Sequence, residues 1–346
     1  ALYSLFSFNS RIYLLTSFLR GLRMRALVIE KPFEASIVDL DEPKPRDGEV
    51  IISVKACGVC GTDIHMFRGE EPRVVYPIVP GHEFSGTVVD VGKGVTDISI
   101  GDGVVVDPNI FCGECYYCRS GRSNYCERWE GIGVTRAGGM AERVAVPAGS
   151  VYKLPEGIPF DVAALAEPVA CVLHGIDMVS PYNAHSIALF GAGPIGLLFL
   201  ILLRRFTTAQ IAVFEIAKNR VMRARELGAD VVENPLDVDV AEVANRITCG
   251  RGFDIVIDAT GNIDAISRIL KLDFIAPTGR VLLFGVAPPN KRVEIEPHII
   301  YRKEVKIMGS YVNPYTMYRA IDVLKHTKEF SYIIDRIDLE EALDIV

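Results

Sequence analysis

The chain has few cysteines for a disulfide scaffold, no excess of positive charge and no secretory signal with a cleavage site. Eight cysteines in 346 residues are far below the density of small secreted domains, so we expect reduced thiols and a cytoplasmic protein. The net charge of −7 argues against nucleic acid as a partner and suits a protein that handles small molecules. With 49% hydrophobic residues, the chain can bury a large core, and its length favours two domains.

Two segments invite a membrane or targeting interpretation. The uncharged run Ile187–Leu203 approaches spanning length, but its Gly and Pro cluster favours a buried strand, a tight turn and a buried helix, so no membrane association is predicted. Residues 1–23 are Ser-rich and contain Arg but no acid, which is the composition of an organelle transit peptide. A disordered extension or an upstream mis-start before Met24 is the favoured alternative. The chain stops inside a predicted helix at EALDIV, so further residues are expected.

The pattern of apolar residues divides the chain into two halves. From Met24 to about Asp107, short β runs alternate with turns. After residues 178–186, strands alternate with helices, which indicates parallel βαβ units and a doubly wound sheet. We therefore predict an α/β protein with a β-rich domain at 24–180 and a nucleotide-binding type of domain at 181–319.

Four cysteines crowd into the segment FCGECYYCRSGRSNYCERW: Cys112, Cys115, Cys118 and Cys126. The C-x2-C-x2-C spacing lets one loop present three sulfurs to a metal, with a fourth from further along the chain. Disulfides fit less well because cysteines three residues apart rarely pair without strain. An iron–sulfur cluster is the chemical alternative, but ferredoxins place their fourth cysteine after three residues and before Pro. We predict a structural zinc site.

A second set of potential metal ligands lies in KACGVCGTDIH and PGHEFSG: Cys57, Cys60, Asp63, His65, His82 and Glu83. A catalytic zinc needs three protein ligands of mixed type and one position open to substrate. Asp63 is suited to fixing the tautomer of a ligand histidine. Glu167 lies in an apolar helix, where an unpaired carboxylate is costly, so it too requires a metal or a base.

A glycine-rich turn follows the strand SIALF and begins a helix. Its residues are Gly191, Gly193, Pro194, Ile195 and Gly196, in the pattern G-x-G-x-x-G. Such a turn lets backbone N–H groups and a helix N-terminus approach a pyrophosphate. Glu215 ends the next strand, 19 residues past the last glycine, where it can accept the ribose hydroxyls and repel a 2′-phosphate. NAD is therefore favoured over NADP, although Lys218 and Arg220 weaken this exclusion.

From Met24 to Val346, these motifs resemble the zinc-dependent medium-chain dehydrogenases, the family of alcohol, sorbitol and threonine dehydrogenases. The resemblance implies a GroES-like catalytic domain, a Rossmann domain and a return segment at 320–346, with one catalytic and one structural zinc, NAD, and a homodimer or homotetramer. It assigns the catalytic zinc to Cys60 of C-G-T-D-x-H and His82 of G-H-E. Either Glu83 or Glu167 completes the ligands.

The resemblance also implies a reaction: oxidation of a small-molecule alcohol, with Thr62 passing the hydroxyl proton to His65. The Glu167-Pro168 pair occurs in the polyol and threonine branches, and the segment IHMFRGEEP favours the polyol branch. The expected substrate is a secondary hydroxyl of a sugar alcohol or diol; threonine and simple secondary alcohols remain alternatives. A dehydrogenase-fold binding module without catalysis is a further alternative, which the intact ligand set and phosphate turn disfavour.

Overall fold

The computed structural model describes residues 4–6 and 23–346. Two compact units divide the chain: one comprises residues up to Ala170 together with Pro314–Val346, and the other comprises Cys171–Asn313. The boundary between Ala170 and Cys171 falls inside the helix Ala166–Val179. The domain limits of 24–180, 181–319 and 320–346 stay a prediction. The transit-peptide and extension interpretations of residues 1–23 lie largely outside the described residues.

The first unit is built mainly from β-strands. In chain order these are β1 (Ser4–Phe6), β2 (Arg23–Lys31), β3 (Glu34–Asp41), β4 (Glu49–Cys57), β5 (Phe84–Val91), β6 (Gly103–Val106), β7 (Asn109–Ile110), β8 (Glu130–Gly131), β9 (Arg143–Pro147) and β10 (Val151–Lys153). Five of them form an antiparallel sheet in the order β10-β6-β5-β4-β9. Alternating buried Val and Ile side chains of β4 and β5 supply the centre of the core.

Short helices connect these strands and carry several of the predicted site residues. They are α1 (Gly61–Phe67), α2 (Tyr116–Arg119), α3 (Phe160–Ala163) and the longer α4 (Ala166–Val179), with 3-10 turns at Ser123–Tyr125, Ala148–Ser150 and Pro181–Asn183. α1 follows directly after β4, so Cys60 and Asp63 lie at the end of a buried central strand. This arrangement gives the loop after β4 a rigid base.

The second unit contains a six-stranded parallel sheet. Its strands are β11 (Ser186–Phe190), β12 (Gln210–Phe214), β13 (Val231–Glu233), β14 (Phe253–Asp258), β15 (Ile275–Leu283) and β16 (Lys306–Gly309). Their spatial order is β13-β12-β11-β14-β15-β16, which is the doubly wound order 3-2-1-4-5-6. The helices between them are α5 (Pro194–Phe206), α6 (Lys218–Glu226), α7 (Val240–Thr248), α8 (Ile263–Ile269) and α9 (Pro297–Lys303). The predicted α/β fold class is confirmed.

The long uncharged run resolves into β11, the glycine turn and α5, as the sequence predicted. Residues 196–203 of α5 are buried, so their apolar side chains are used in the protein core. No helix within residues 4–6 and 23–346 is long and apolar enough to cross a bilayer.

The C-terminal segment returns to the first unit. It forms α10 (Met317–Lys325), a 3-10 turn at Lys328–Ile333, β17 (Asp335–Ile337) and α11 (Leu339–Ile345). Leu339 and Ala342 of α11 pack into the core of the antiparallel sheet. Strand β17 pairs in parallel with β1.

Candidate active site

The four-cysteine loop places its sulfur atoms around one point. The Sγ atoms of Cys112, Cys115, Cys118 and Cys126 all lie within 4.8 Å of one another. Cys112 Sγ and Cys118 Sγ are 3.9 Å apart, close to the roughly 3.8 Å that a tetrahedral site with 2.3 Å zinc–sulfur bonds requires. All four are free thiols, and 3.9 Å is far beyond a disulfide bond. The donor set and its spacing fit one structural zinc ion.

Backbone N–H groups in this loop point at the sulfurs. Cys115 N–H donates to Cys112 Sγ, and Cys112 N–H donates to Cys126 Sγ, each at 3.3 Å. The Glu114 N–H hydrogen bond is the main cause that lowers the pKa of Cys112 to about 6. Because zinc binds thiolates rather than thiols, these hydrogen bonds favour the metal-binding form of Cys112, whereas burial raises the pKa of Cys118.

A second metal-ligand group lies where α1 approaches the start of β5. One ligand atom each from Cys60, His82 and Glu83 lies within 4.8 Å of the others, although 22 residues separate Cys60 from His82 along the chain. His82 and Glu83 are buried. Cys, His and Glu are all zinc ligands, and a set of three leaves a fourth position open to substrate, so these residues fit a catalytic zinc ion.

The ionisation of this group also points to a cation. Burial raises the pKa of Glu83 to about 8, and the nearby carboxylate of Glu167 contributes to the rise. Burial likewise raises the pKa of Cys60. For His82, burial lowers the pKa, but the negative charges of Cys60 and Asp63 outweigh it and raise the pKa well above its ordinary value. A divalent cation would relieve this crowding of buried acidic groups.

Asp63 is fully buried and joins the two segments that carry the ligands. Its Oδ2 accepts the Cys60 N–H at 2.8 Å, and its Oδ1 accepts the Gly81 N–H at 3.2 Å. The same Oδ1 is 3.6 Å from His82 Nδ1. Asp63 therefore lies beside His82, and its role in orienting this histidine as a zinc ligand stays a prediction.

Sequence reasoning missed Gly58, which lies between Cys57 and Cys60. A side chain there would overlap Glu83 Oε2 and place its Cβ 3.1 Å from Glu83 Cβ. The Gly58 N–H also donates to the Glu83 carbonyl oxygen at 2.7 Å. Gly58 thus lets the Glu83 side chain cross the loop. The one sequence signal that could have revealed this role is the glycine within C-G-V-C.

The remaining predicted residues of the first unit surround this group. Thr62 Oγ1 lies 3.8 Å from Cys60 Sγ. His65, further along α1, is half-buried, and its Nδ1 is 2.6 Å from Glu70 Oε2. Glu167 begins α4 and is buried, but it is outside the group of atoms within 4.8 Å of one another. Cys57 is also outside that group.

The glycine turn connects β11 to α5. Gly191 has φ +93°, and a Cβ there would lie 2.8 Å from Thr260 Cγ2. Gly193 is the N-cap of α5, Pro194 is its first residue, and Ile195 follows inside the first turn. A Cβ on Gly196 would overlap the carbonyl oxygen of Gly191. The turn thus brings bare backbone and a helix N-terminus together, which suits a dinucleotide pyrophosphate.

Glu215 follows β12 and faces the glycine turn. Its Oε2 accepts the Ala192 N–H at 2.7 Å, and its Oε1 accepts the N–H groups of Ile216 and Ala217 at 2.8 Å each. The Arg220 guanidinium is 3.9 Å from Glu215 Oε2. Both residues predicted to contact the cofactor therefore lie beside the turn, and the carboxylate is anchored by backbone donors.

Known proteins with this architecture were found by sequence and by structure. The alcohol dehydrogenase GroES-like domain matches residues 46–156, and the zinc-binding dehydrogenase domain matches residues 194–326. D-arabitol-phosphate dehydrogenase of Enterococcus avium is 36% identical over 84% of this chain and 83% of its own. L-threonine 3-dehydrogenase of Pyrococcus abyssi is 36% identical over 81% of each chain.

A crystal structure of a zinc-binding dehydrogenase from Sinorhizobium meliloti, bound to NADP, superposes with a TM-score of 0.86. It is 34% identical, with 94% of this chain and 95% of that chain covered. The two folds and two metal-ligand groups define a zinc-binding dehydrogenase with a GroES-like and a Rossmann domain. The chain belongs to the zinc-dependent medium-chain dehydrogenase family and is an NAD(P)-dependent alcohol dehydrogenase. The non-catalytic interpretation is set aside.

Proposed function

We propose that the protein oxidises a secondary hydroxyl group of a polyol, sugar alcohol or diol to a ketone and reduces NAD. The observation that carries this proposal is the convergence of Cys60, His82 and Glu83 on one buried point. These three residues would hold a zinc ion, which would supply a Lewis acid that makes a substrate hydroxyl more acidic. Glu83, the carboxylate within ligand distance, is the proposed third ligand.

The chain's own residues then remove the hydroxyl proton. We assign the Thr62 hydroxyl to accept this proton while it donates its own to His65, whose ring passes a proton on to solvent. Thr62 lies beside the ligand Cys60, which is where a group that touches the substrate oxygen is needed. The glycine turn would hold the pyrophosphate of a nicotinamide nucleotide and Glu215 its ribose, and this nucleotide would accept the hydride.

The carboxylate of Glu215 supports the choice of NAD. It is held by three backbone N–H groups at 2.7–2.8 Å, so its position is defined before the nucleotide binds. A fixed negative charge there repels the 2′-phosphate of NADP. We expect kcat/KM to be at least about tenfold higher with NAD than with NADP, which corresponds to about 1.4 kcal/mol.

Two features support the polyol class. Glu167 places a further buried carboxylate near Glu83, and carboxylates accept hydrogen bonds from hydroxyl groups. The relative from Enterococcus avium acts on a phosphorylated sugar alcohol by name. The threonine dehydrogenase relative, at the same identity, makes L-threonine the second candidate.

The test is NADH formation at 340 nm with sorbitol, xylitol, arabitol, butanediol, threonine and isopropanol. A chelator-treated sample, with and without added zinc, is the control. A chelator-sensitive rate that is highest on a polyol or diol supports the proposal. The highest rate on threonine would replace it with the second candidate.

Thr62→Val tests the proton transfer. The variant keeps the shape of the side chain but lacks the hydroxyl, so kcat should fall by about 100-fold at neutral pH. Thr62→Ser is the matched control and should retain most of the activity. An unchanged rate in the valine variant would refute this role for Thr62.

We also propose that the protein forms a homodimer or homotetramer, as the resemblance implies. Light scattering coupled to size-exclusion chromatography tests this, and a mass of about 38.1 kDa, that of a single chain, would contradict it.

A further inference from the structure

The C-terminal end of α1 determines where the residue after it lies. Its C-cap is Arg68, followed by Gly69 with φ +72° and then by Glu70. The Glu70 N–H donates to the His65 carbonyl at 2.8 Å, and the Gly69 N–H donates to the Met66 carbonyl at 3.0 Å. This pair of bonds is the Schellman motif, which brings the second residue after the cap back over the third-last residue of the helix.

In a Schellman motif the two residues brought together frequently make an apolar contact. Here they are His65 and Glu70, and His65 Nδ1 is 2.6 Å from Glu70 Oε2. Their side chains are 43% and 47% exposed, so the pair reaches solvent. Two independent bonds, one from the backbone and one between side chains, therefore join residues 65 and 70.

The contact also determines which nitrogen of His65 carries the proton. An ionised carboxylate is an acceptor only, so Nδ1 must carry hydrogen in order to bond to Glu70. The proton on one ring nitrogen leaves the other, Nε2, as the acceptor. A histidine that is to receive a proton from Thr62 requires a free acceptor nitrogen, and the neutral Nδ1–H form supplies it.

We propose that Glu70 is a positioning residue for the alcohol dehydrogenase reaction, holding His65 as the Nδ1–H tautomer with Nε2 ready to accept the proton. This inference rests on the proposed function for its role in turnover. The substrate O–H bond breaks as its proton passes to the Thr62 oxygen and the Thr62 proton passes to Nε2. The Nδ1 proton then leaves toward Glu70 and solvent, and exchange with water restores the Nδ1–H form.

The neighbouring acid provides a matched control. Glu71 Oε1 accepts hydrogen bonds from the Arg73 N–H and Arg73 Nε at 3.1 and 2.8 Å. The Arg73 guanidinium in turn lies 4.3 Å from the centre of the Trp129 ring. Glu71 thus belongs to a different cluster, although it is adjacent to Glu70 in sequence and carries the same charge.

The first test is the tautomer of His65, which needs no turnover. The chain has six histidines, so nitrogen-15 spectra of histidine-labelled zinc-loaded protein can be assigned with His65→Gln. We expect Nδ1–H in the wild type and in Glu71→Ala, and a shift toward Nε2–H in Glu70→Ala. Glu70→Gln, whose carbonyl oxygen still accepts a hydrogen bond, should retain Nδ1–H. An unchanged tautomer in Glu70→Ala would overturn the inference.

The second test is the single-turnover rate of NADH formation. Glu70→Ala should lower the single-turnover rate about tenfold, which is part of the rate enhancement that general acid–base catalysis provides. The steady-state KM should change less than about twofold. Glu71→Ala should match the wild type. In the His65→Gln background, Glu70→Ala should have no additional effect, because it acts through His65. An equal tenfold loss in both backgrounds would overturn the inference.

The two proposals fail differently. Wild-type protein that is inactive on every alcohol would refute the proposed function, and the tautomer measurement would still decide the role of Glu70. Active wild type with an unaffected Glu70→Ala rate would refute the inference about Glu70 alone.

Discussion

Alanine at Gly196 should destabilise the glycine turn, whereas alanine at Gly193 should leave the fold intact and weaken nucleotide binding. A Cβ on Gly196 would lie 2.8 Å from the Gly191 carbonyl carbon and overlap its oxygen. A Cβ on Gly193 meets only the end of the Arg220 side chain, at 3.7 Å. The same substitution therefore distinguishes Gly196, which packs closely against the Gly191 backbone, from Gly193, which leaves room for the nucleotide.

The magnitude follows from what the new methyl group meets. At Gly196 the obstacle is backbone, which cannot rotate away, so the cost should be near the upper end of overpacking, about 3 kcal/mol. For a chain of 346 residues, whose unfolding entropy is about 0.7 kcal/mol/K, this corresponds to a melting temperature lower by about 4 °C. At Gly193, the φ of −66° is open to alanine, so the stability should change by less than about 1 kcal/mol. The methyl group there blocks close approach of the pyrophosphate, and Kd for NAD should rise at least about tenfold.

Thermal unfolding followed by circular dichroism measures the first effect, and titration of NADH fluorescence measures the second. Both variants are compared with the wild type at the same zinc content. If Gly196→Ala is as stable as the wild type, the close packing of Gly196 on Gly191 is refuted. If Gly193→Ala binds NADH with wild-type affinity, the nucleotide does not lie on this turn.

Two further predictions concern the metal loop and a buried acid. Cys118→Ser should lower the zinc content, measured by mass spectrometry, from two ions per chain to one. The melting temperature should also fall, because the three remaining thiolates no longer close the structural site. A variant that retains two zinc ions would contradict this prediction. Burial raises the pKa of Asp258 above its ordinary 3.8. The folded state therefore keeps the Asp258 proton to a higher pH than the unfolded state does. Protonation of Asp258 stabilises the folded state as pH falls, and this contribution is lost as pH rises through the folded-state pKa. In urea unfolding, the stability of the wild type relative to Asp258→Asn should rise as pH falls toward the ordinary carboxyl value of 3.8, and a difference that does not change with pH would refute the burial effect.

Features that depend on neighbours in sequence could be predicted from the residues alone. Strand–helix alternation gave the doubly wound sheet, and the position of the turn between β11 and α5 followed from its glycines. The four-cysteine loop closes within 15 residues, so its spacing already limits how far apart the sulfurs can be. The Schellman contact of Glu70 is also local, and the Gly69-Glu70 pair after a helical segment is a signal that could have revealed it.

Other features required the folded chain because they join distant segments. Which acid lies within ligand distance of Cys60 and His82 depends on how β4, β5 and α4 pack, and the structure groups Glu83 rather than Glu167 with them. The double contact of Asp63 with Cys60 and Gly81 and the crossing of Glu83 over Gly58 also follow from the pairing of β4 with β5. The sequence by itself determined the class of chemistry, because residue types and short spacings define metal and phosphate sites. Only the tertiary structure decided which residues converge on the buried point proposed for zinc, because burial and long-range pairing place their atoms.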